Sequence, residues 1–201
     1  MPPEKLLLRI VGGEFRGREL NSPPKKSMAT RPTLDRVKES LFDILARRLE
    51  GVNVLDLCAG TGSLGLEALS RGAKSATFLE KDLRNIKLIE ENANKLGVNS
   101  KASVIKGELP FAIGKCKGPF EIVFFDPPYK SDLAERVLSR LATKTFLVPN
   151  AIVVVERDRR ATPLKFFQYA IDRRHRIGDT ELWFLRYLPP GARHRDEDRD
   201  E

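Results

Sequence analysis

Asp126, Pro127, Pro128 and Tyr129 form a short stretch that combines a carboxylate, two rigid prolines and an aromatic ring. The apolar run before it, Phe120–Phe125, is typical of a strand that is buried on both faces. Because proline lacks a backbone N–H and fixes its φ angle, the two prolines end this strand and hold the following chain extended. The carboxylate of Asp126 and the carbonyl of Pro127 can accept hydrogen bonds from an amine, and the Tyr129 ring can stack on a flat ring. The stretch therefore predicts a site for a planar, amine-bearing ligand.

A glycine loop at residues 60–65 reads Gly-Thr-Gly-Ser-Leu-Gly and lies between a predicted strand and a predicted helix. Glu80 follows at the end of the next predicted strand. This is the spacing of a dinucleotide-binding motif, in which glycines let the backbone approach the ligand and the acidic side chain accepts ribose hydroxyls. The motif alone does not distinguish NAD from another cofactor that contains adenosine.

Asp56 lies four positions before the first glycine of this loop and favours a cationic cofactor. A carboxylate would repel the pyrophosphate of NAD, whereas it would attract the ammonium and sulfonium groups of S-adenosylmethionine. The alternative is that Asp56 only caps the helix that follows. The neighbouring Cys58 is interpreted as a packing residue, because nothing nearby would make its thiol a nucleophile.

Strands and helices alternate through most of the chain, and this order predicts a parallel sheet with helices on both faces. Right-handed crossovers make the strand order doubly wound, so the strands that end near Asp56 and Asp126 are expected to be neighbours, with their loops facing one crevice. The predicted elements are helix 33–48, strand 52–57, helix 63–71, strand 75–79, helix 82–96, strand 102–105, a helix or loop at 107–115, strand 120–125, helix 131–141 and strand 151–155.

A hairpin is predicted near the amino end, with strands at 7–11 and 14–20 and Gly12-Gly13 as the turn. Arginines decorate this hairpin, and prolines and lysines continue the basic character to Arg31. We favour a basic arm that contacts the phosphates of a nucleic acid over a solvated edge hairpin protected by charge. Near the carboxyl end, segments 164–170 and 181–188 predict two antiparallel strands joined by a basic turn at 173–178.

The composition limits the class of protein. A length of 201 residues fits one domain with a small appendage, which we divide into a basic arm (1–30), a main domain (31–190) and a disordered tail (191–201). The net charge of +8 and a pI of about 9.6 are typical of a nucleic-acid binder. Two cysteines indicate a reducing, cytoplasmic compartment, and the sequence predicts neither a membrane span nor a metal site.

Taken together, these motifs resemble the class I S-adenosylmethionine-dependent methyltransferases that carry an Asp/Asn-Pro-Pro-Tyr/Phe motif. The sequence is most similar to the bacterial 16S rRNA guanine-N2 methyltransferase family often called RsmD. The resemblance rests on four blocks, which are Arg-Ile-Val-Gly-Gly-Glu-Phe-Arg-Gly-Arg at 9–18, Arg-Pro-Thr-Leu-Asp-Arg-Val-Lys-Glu-Ser-Leu-Phe at 31–42, Leu-Asp-Leu-Cys-Ala-Gly-Thr-Gly-Ser-Leu-Gly-Leu-Glu-Ala-Leu-Ser-Arg-Gly at 55–72, and Asp-Pro-Pro-Tyr at 126–129.

The resemblance implies a Rossmann-like α/β fold with a mostly parallel seven-stranded sheet, helices on both faces, an antiparallel last strand and an amino-terminal β-hairpin arm. It also implies S-adenosylmethionine as cofactor and, as substrate, the N2 amine of a guanine in the 16S rRNA of the small ribosomal subunit. We expect a monomeric cytoplasmic enzyme. The alternatives are an N-methyltransferase acting on DNA adenine N6 or protein glutamine, a non-catalytic RNA-binding module and, less favoured, an NAD-dependent oxidoreductase.

The roles of individual residues follow from the same resemblance. Glu80 would bind the ribose, and Glu108 stands where relatives often have an aspartate beside the adenine. The methionine part of the cofactor would contact Asp56, Ala59, Gly60 and Gly62. The target base would be held by Asp126, Pro127 and Tyr129, while RNA would contact Arg9, Arg16, Arg18, Arg31 and again Tyr129.

Overall fold

The structure is a computed structural model that describes residues 8–23, 31–127, 132–143, 146–161 and 163–191, and for residues 31–34 it describes the backbone alone. Its strands in chain order are β1 (Leu8–Arg9), β2 (Glu19–Leu20), β3 (Asn53–Leu57), β4 (Ser75–Glu80), β5 (Ala102–Lys106), β6 (Phe120–Phe125), β7 (Leu147–Asp158), β8 (Tyr169–Ile177) and β9 (Thr180–Tyr187). The α-helices are α1 (Arg31–Leu45), α2 (Ser63–Ser70), α3 (Leu83–Leu96) and α4 (Leu133–Ala142).

One sheet of seven strands, in the order β5-β4-β3-β6-β7-β9-β8, forms the centre of the fold. The strands from β5 to β7 are parallel, and β9 runs antiparallel to both of its neighbours. The predicted α/β class, with a mostly parallel sheet and an antiparallel last strand, is confirmed.

Two apolar layers cover the sheet, because successive side chains of a strand point to opposite faces. On one face, Val54 and Phe124 pack with apolar residues of α1, α2 and α3. On the other face, Leu55 and Phe125 pack with α4 and with the 3₁₀ helix Phe111–Lys115. Of the helices in the described part of the chain, none has the length and apolar character that a membrane span requires.

The amino-terminal hairpin differs from the prediction in its turn. Among the residues described from Leu8 onwards, the paired strands are Leu8–Arg9 and Glu19–Leu20, and the chain reverses over the intervening residues instead of at Gly12-Gly13. Ile10 still bonds across the hairpin, with its N–H donating to the Arg18 carbonyl at 3.0 Å and its carbonyl accepting the Gly17 N–H at 2.8 Å, but the next residues bond to helix α2 instead. The N–H groups of Val11 and Gly12 donate to the Glu67 carboxylate at 2.9 and 2.7 Å, and that of Phe15 donates to Ser70 Oγ at 2.9 Å.

The carboxyl-terminal pair of strands is antiparallel as predicted, but the bounds of its first strand and the place of its turn differ from the prediction. Residues 164–168 are irregular, and Gln168 has a φ of 66°, which interrupts any strand there. The basic run 173–176 belongs to strand β8, and the turn is at Gly178 and Asp179. A strand at the edge of a sheet accepts exposed charges, so this run of arginines does not require a turn. Strand β7 is likewise longer than the predicted 151–155.

Candidate active site

Strands β3 and β6 place the two predicted loops side by side. They pair in parallel, and Leu57 at the end of β3 lies opposite Phe125 at the end of β6. The expected adjacency of these strands is therefore confirmed, and the chain leaves both strands at the same edge of the sheet. Burial is the main cause that raises the pKa of Asp56, and the charge of Asp126, just beyond β6, raises it further.

The glycine loop is shaped by three residues with left-handed backbone angles. Cys58, Gly60 and Gly62 have φ values of 58°, 55° and 76°. The N–H of Gly62 donates to the carbonyl of Ala59 at 2.7 Å, which closes a tight turn before helix α2. Glycine adopts these angles without steric cost, so the sequence Gly-Thr-Gly permits this turn. Burial is the main cause that raises the pKa of the Cys58 thiol to about 12, so Cys58 is not a thiolate nucleophile.

Gly65 lets helix α2 approach strand β4 closely. A Cβ atom at this position would stand 2.3 Å from Cε1 of Phe78, which is closer than any real contact. The third glycine of the motif therefore serves the packing of helix against strand, the role that this position has in a dinucleotide-binding loop.

Asp56 is buried in the floor of the crevice, with 3% of its surface exposed. Its Oδ2 atom accepts a hydrogen bond from the Gly65 N–H in the first turn of α2 at 2.9 Å, so the capping contact considered from the sequence is present. Burial raises its pKa to about 8, against the effect of the Gly65 bond, and the charges of Asp126 and Glu80 raise it further. An acidic residue held this way gains most from a neighbouring cation, because a positive charge favours its ionised form.

Glu80, the last residue of β4, connects this strand to the glycine loop through hydrogen bonds. Its Oε2 accepts the N–H of Gly60 at 2.8 Å, and its Oε1 accepts those of Lys81 and Asp82 at 2.8 and 2.9 Å. A carboxylate offers about four lone-pair sites, so these three bonds leave capacity for a hydroxyl donor. The side chain is thus preoriented at the edge of the loop before any ligand arrives.

Glu108 lies at the outer rim of the crevice. Its side chain is 73% exposed, and its Oε1 is 3.7 Å from Nζ of Lys81. The contact with Lys81 links the loop after β5 to the loop after β4. Glu108 therefore reaches the same edge of the sheet as Glu80, although its side chain is held only by a surface ion pair.

Asp126 stands at the mouth of the crevice, and Pro127 behind it is buried. The Asp126 side chain keeps contact with solvent, yet partial burial raises the pKa of its carboxyl to about 6. In its ionised form this carboxyl can accept N–H donors. The predicted site residue Tyr129 lies outside the described residues.

The arginines predicted to bind RNA lie in different places. Arg9 is engaged by the Asp35 carboxylate, with Nη2 and Nε at 2.8 and 2.9 Å from Oδ2. Arg16 and Arg18 are exposed on the reversal of the hairpin, which packs against the end of α2 that is remote from the glycine loop. The backbone of Arg31 begins α1, and its side chain is outside the description.

A buried charge cluster behind the glycine loop was missed by the sequence analysis. The ammonium of Lys38 in α1 contacts a Glu67 carboxylate oxygen at 3.1 Å, the Arg9 carbonyl at 2.7 Å and Ser63 Oγ at 3.1 Å. The signal that could have revealed it is Glu67 itself, the only charged residue in the apolar helix α2. The cluster joins the hairpin, α1 and the first residue of α2.

A family profile and two relatives of known name were found to match this chain. The profile of the family described as Conserved hypothetical protein 95 matches residues 8–186. Ribosomal RNA small subunit methyltransferase D of Haemophilus influenzae is 42% identical over 161 residues, which is 79% of this chain and 82% of the relative. The protein of the same name from Escherichia coli is 38% identical over 75% of each chain.

A solved structure has the same fold. The putative methyltransferase yhhF from Escherichia coli superimposes with a TM-score of 0.78 at 33% identity, over 91% of this chain and 99% of its own. The fold is that of an α/β methyltransferase, and the profile match spans nearly the whole described chain. The chain therefore belongs to the Conserved hypothetical protein 95 family, which is the RsmD family of methyltransferases.

Proposed function

We propose that this chain transfers the methyl group of S-adenosylmethionine to the N2 amine of a guanine in the 16S rRNA of the small ribosomal subunit. The observation that carries the proposal is the pairing of β3 with β6, which brings the Asp126 loop beside Asp56 and the glycine loop. The names of the relatives support an rRNA of the small subunit as substrate. The net charge of +8 suits a partner that carries phosphates.

The residues of the crevice fit this cofactor. Burial and then the charges of Asp126 and Glu80 raise the pKa of Asp56, so the crevice favours a positive charge such as an ammonium or a sulfonium beside it. Gly60 and Gly62 present a close backbone without side chains, and the remaining capacity of Glu80 suits the ribose hydroxyls. When bound, S-adenosylmethionine supplies a methyl group that its sulfonium already activates.

The chain itself contributes orientation and charge. The lone pair of the guanine amine is delocalised into the ring, so the amine is a poor nucleophile until its geometry changes. In the proposal, one N–H donates to the Asp126 carboxylate and the other to the Pro127 carbonyl, which turns the lone pair towards the methyl group. Alignment of this kind contributes up to roughly 7–11 kcal/mol in well-oriented reactions. The Asp126 charge also stabilises the positive charge that develops on the nitrogen.

The remaining parts of the proposal concern the protein as a whole. We propose Tyr129 as the ring that stacks on a base withdrawn from its neighbours, as enzymes acting on bases require. We also propose a monomer that acts in the cytoplasm, with residues 1–30 as an arm, 31–190 as the catalytic domain and 191–201 as a tail. The free thiols of Cys58 and Cys116 are compatible with a reducing compartment.

The test is a methyl-transfer assay with isotope-labelled S-adenosylmethionine. The purified chain is offered small subunits from cells that lack this activity, protein-free 16S rRNA, adenine-containing duplex DNA and a glutamine-containing peptide. The proposal expects label in rRNA, mapped by mass spectrometry to N2 of one guanine. Label in DNA adenine or in the peptide would contradict it, and so would tighter binding of NAD than of S-adenosylmethionine.

A further inference from the structure

A groove of about 660 Å³ runs along helix α4, on the sheet face opposite to α1. One wall is the 3₁₀ helix that follows β5, which contributes Phe111. The other wall is the exposed side of α4, with Glu135, Arg136 and Arg140. No residue of the proposed cofactor site lines it, so the groove is separate from that site.

Phe111 is exposed to an unusual degree for a phenylalanine, with 76% of its surface open to solvent. The guanidinium of Arg136 lies 5.9 Å from the centre of its ring. Burying an aromatic ring is favourable, so a ring left in solvent beside a cation points to a partner that supplies a flat surface. An unpaired nucleobase has such a surface, and stacking on an aromatic side chain tolerates any base.

The charge of the groove also favours a polyanion. Arg136 is about half exposed, and Arg140 stands two residues before the end of α4 with its guanidinium beside Gly114. Two acidic groups lie nearby: the Glu135 carboxylate accepts the Lys165 N–H at 2.9 Å, and Asp132 Oδ1 is 4.0 Å from Nη1 of Arg136 in an exposed pair that a phosphate could replace. The two arginines lie at i and i+4, one turn apart on the same side of α4, so they can contact successive phosphates.

The groove begins beside the proposed target site. Phe111 follows β5 by a few residues, and α4 begins at Leu133, shortly after Asp126. Both walls therefore start at the edge of the sheet where the crevice opens. A strand of nucleic acid with one base in the crevice would have its neighbouring nucleotides at the entrance of the groove.

We infer that this groove binds the single-stranded RNA that flanks the target nucleotide, with Phe111 stacking on a base and with Arg136 and Arg140 contacting phosphates. The inference rests on the proposed function and adds to it a second contact surface for the substrate. This surface lies on the opposite sheet face from helix α2, against which the arginine-bearing hairpin packs.

The test compares two variants, Phe111→Ala and Arg136→Ala/Arg140→Ala, by their affinity for a fluorescein-labelled oligouridine. Loss of the ring should weaken binding about tenfold and leave its salt dependence unchanged. Affinity falls as salt rises, and loss of the two arginines should make this fall less steep. The slope of log affinity against log salt should shrink in magnitude by roughly 1.4, because each phosphate contact on a single strand contributes about 0.7. Photocrosslinking with a thiouridine-substituted oligonucleotide should place the crosslink in the peptides that carry Phe111 or residues 135–143.

The chain offers matched controls. Phe167→Ala removes another exposed ring, with 85% of its surface open, and Arg47→Ala/Arg48→Ala removes two exposed charges after α1. Both controls should bind the oligouridine as the parent chain does. Variants of the groove that bind no worse than these controls would overturn the inference, as would crosslinks confined to other peptides.

Failure of this inference is distinguishable from failure of the proposed function. If the parent chain methylates rRNA and the groove variants match it in RNA binding, only the inference is wrong. If the oligouridine binds in the groove as described while no rRNA is methylated by the parent chain, the proposed function is wrong. Binding of S-adenosylmethionine should be equal in all variants, because none of the exchanged residues belongs to the proposed cofactor site.

Discussion

The ammonium of Lys38 lies 3.1 Å from a carboxylate oxygen of Glu67, and both side chains are almost completely removed from solvent. The same carboxylate accepts the backbone N–H groups of Val11 and Gly12 and the Nε of Arg71. Burial lowers the pKa of Lys38, and the charge of Glu67 acts against that lowering. One glutamate thus holds the hairpin, helix α1 and helix α2 together behind the glycine loop.

Replacement of Glu67 by Gln should destabilise the protein severely. It keeps the size of the side chain but leaves the Lys38 ammonium buried without its charge partner, a loss that typically costs about 3–5 kcal/mol. Urea unfolding measures the change in the free energy of unfolding. The control is Asp43→Asn, because the Asp43 side chain is 78% exposed and its Oδ1 makes only a long contact of 4.0 Å with Nη1 of Arg71. Its cost should stay within about 0.5 kcal/mol. Equal costs for both variants would show that the buried contact is not stabilising.

Replacement of Asp126 by Ala should abolish methyl transfer and leave S-adenosylmethionine binding nearly intact. The carboxylate stands at the mouth of the crevice, so its loss removes the acceptor for the amine and spares the glycine loop. Calorimetry with the cofactor and the isotope assay with small subunits measure the two effects separately. Near-normal turnover by this variant would disprove the role of Asp126, and Asp126→Asn shows whether the charge or only an acceptor is needed.

The pKa of Asp56 makes stability depend on pH. Burial raises this pKa from 3.8 to about 8, so the folded chain binds a proton that the unfolded chain has already lost at neutral pH. The resulting stabilisation is complete below pH 3.8 and disappears as the pH rises towards 8. In cofactor-free protein, Asp56→Asn should therefore gain stability relative to the parent chain as the pH rises from about 4 to about 8. A stability difference that does not change over this range would argue against a protonated Asp56.

Replacement of Arg16 and Arg18 by Ala should weaken the binding of rRNA or of the small subunit and flatten its salt dependence. Each lost phosphate contact should reduce the magnitude of the slope of log affinity against log salt by about 0.9 for duplex and about 0.7 for single-stranded RNA. Both residues are exposed on the hairpin reversal, so the fold should tolerate the change. An unaltered slope would favour the alternative, in which the hairpin only protects an edge.

The elements that carry the site could be predicted because their local signals and their tertiary environment agree. The predicted helix 82–96 agrees with α3, where Asp82 caps the start through the N–H of Arg84 and Gly97 ends the helix in a left-handed conformation. The adjacency of β3 and β6 follows from the handedness of crossovers, which needs no knowledge of side chains.

The hairpins were harder to predict because distant contacts decide them. Gly12-Gly13 has the composition of a two-residue turn, yet Gly12 donates to Glu67, a residue 55 positions away. In β8, the guanidinium of Arg174 lies 4.1 Å from the centre of the Trp183 ring, which belongs to the distant segment that pairs with β8. The partners of Glu67 could not be predicted either, because the sequence of helix α2 does not identify the distant groups that compensate the burial of its glutamate.

The docking of the hairpin on α2 gives the protein an internal reporter. Amide hydrogens that are held in hydrogen bonds exchange with deuterium only when the local structure opens. The amides of Val11 and Gly12 are held by the middle of α2, the helix whose first turn follows the glycine loop. Deuterium uptake in the amino-terminal peptide would therefore register how often the hairpin detaches from α2, although the two lie far apart in sequence.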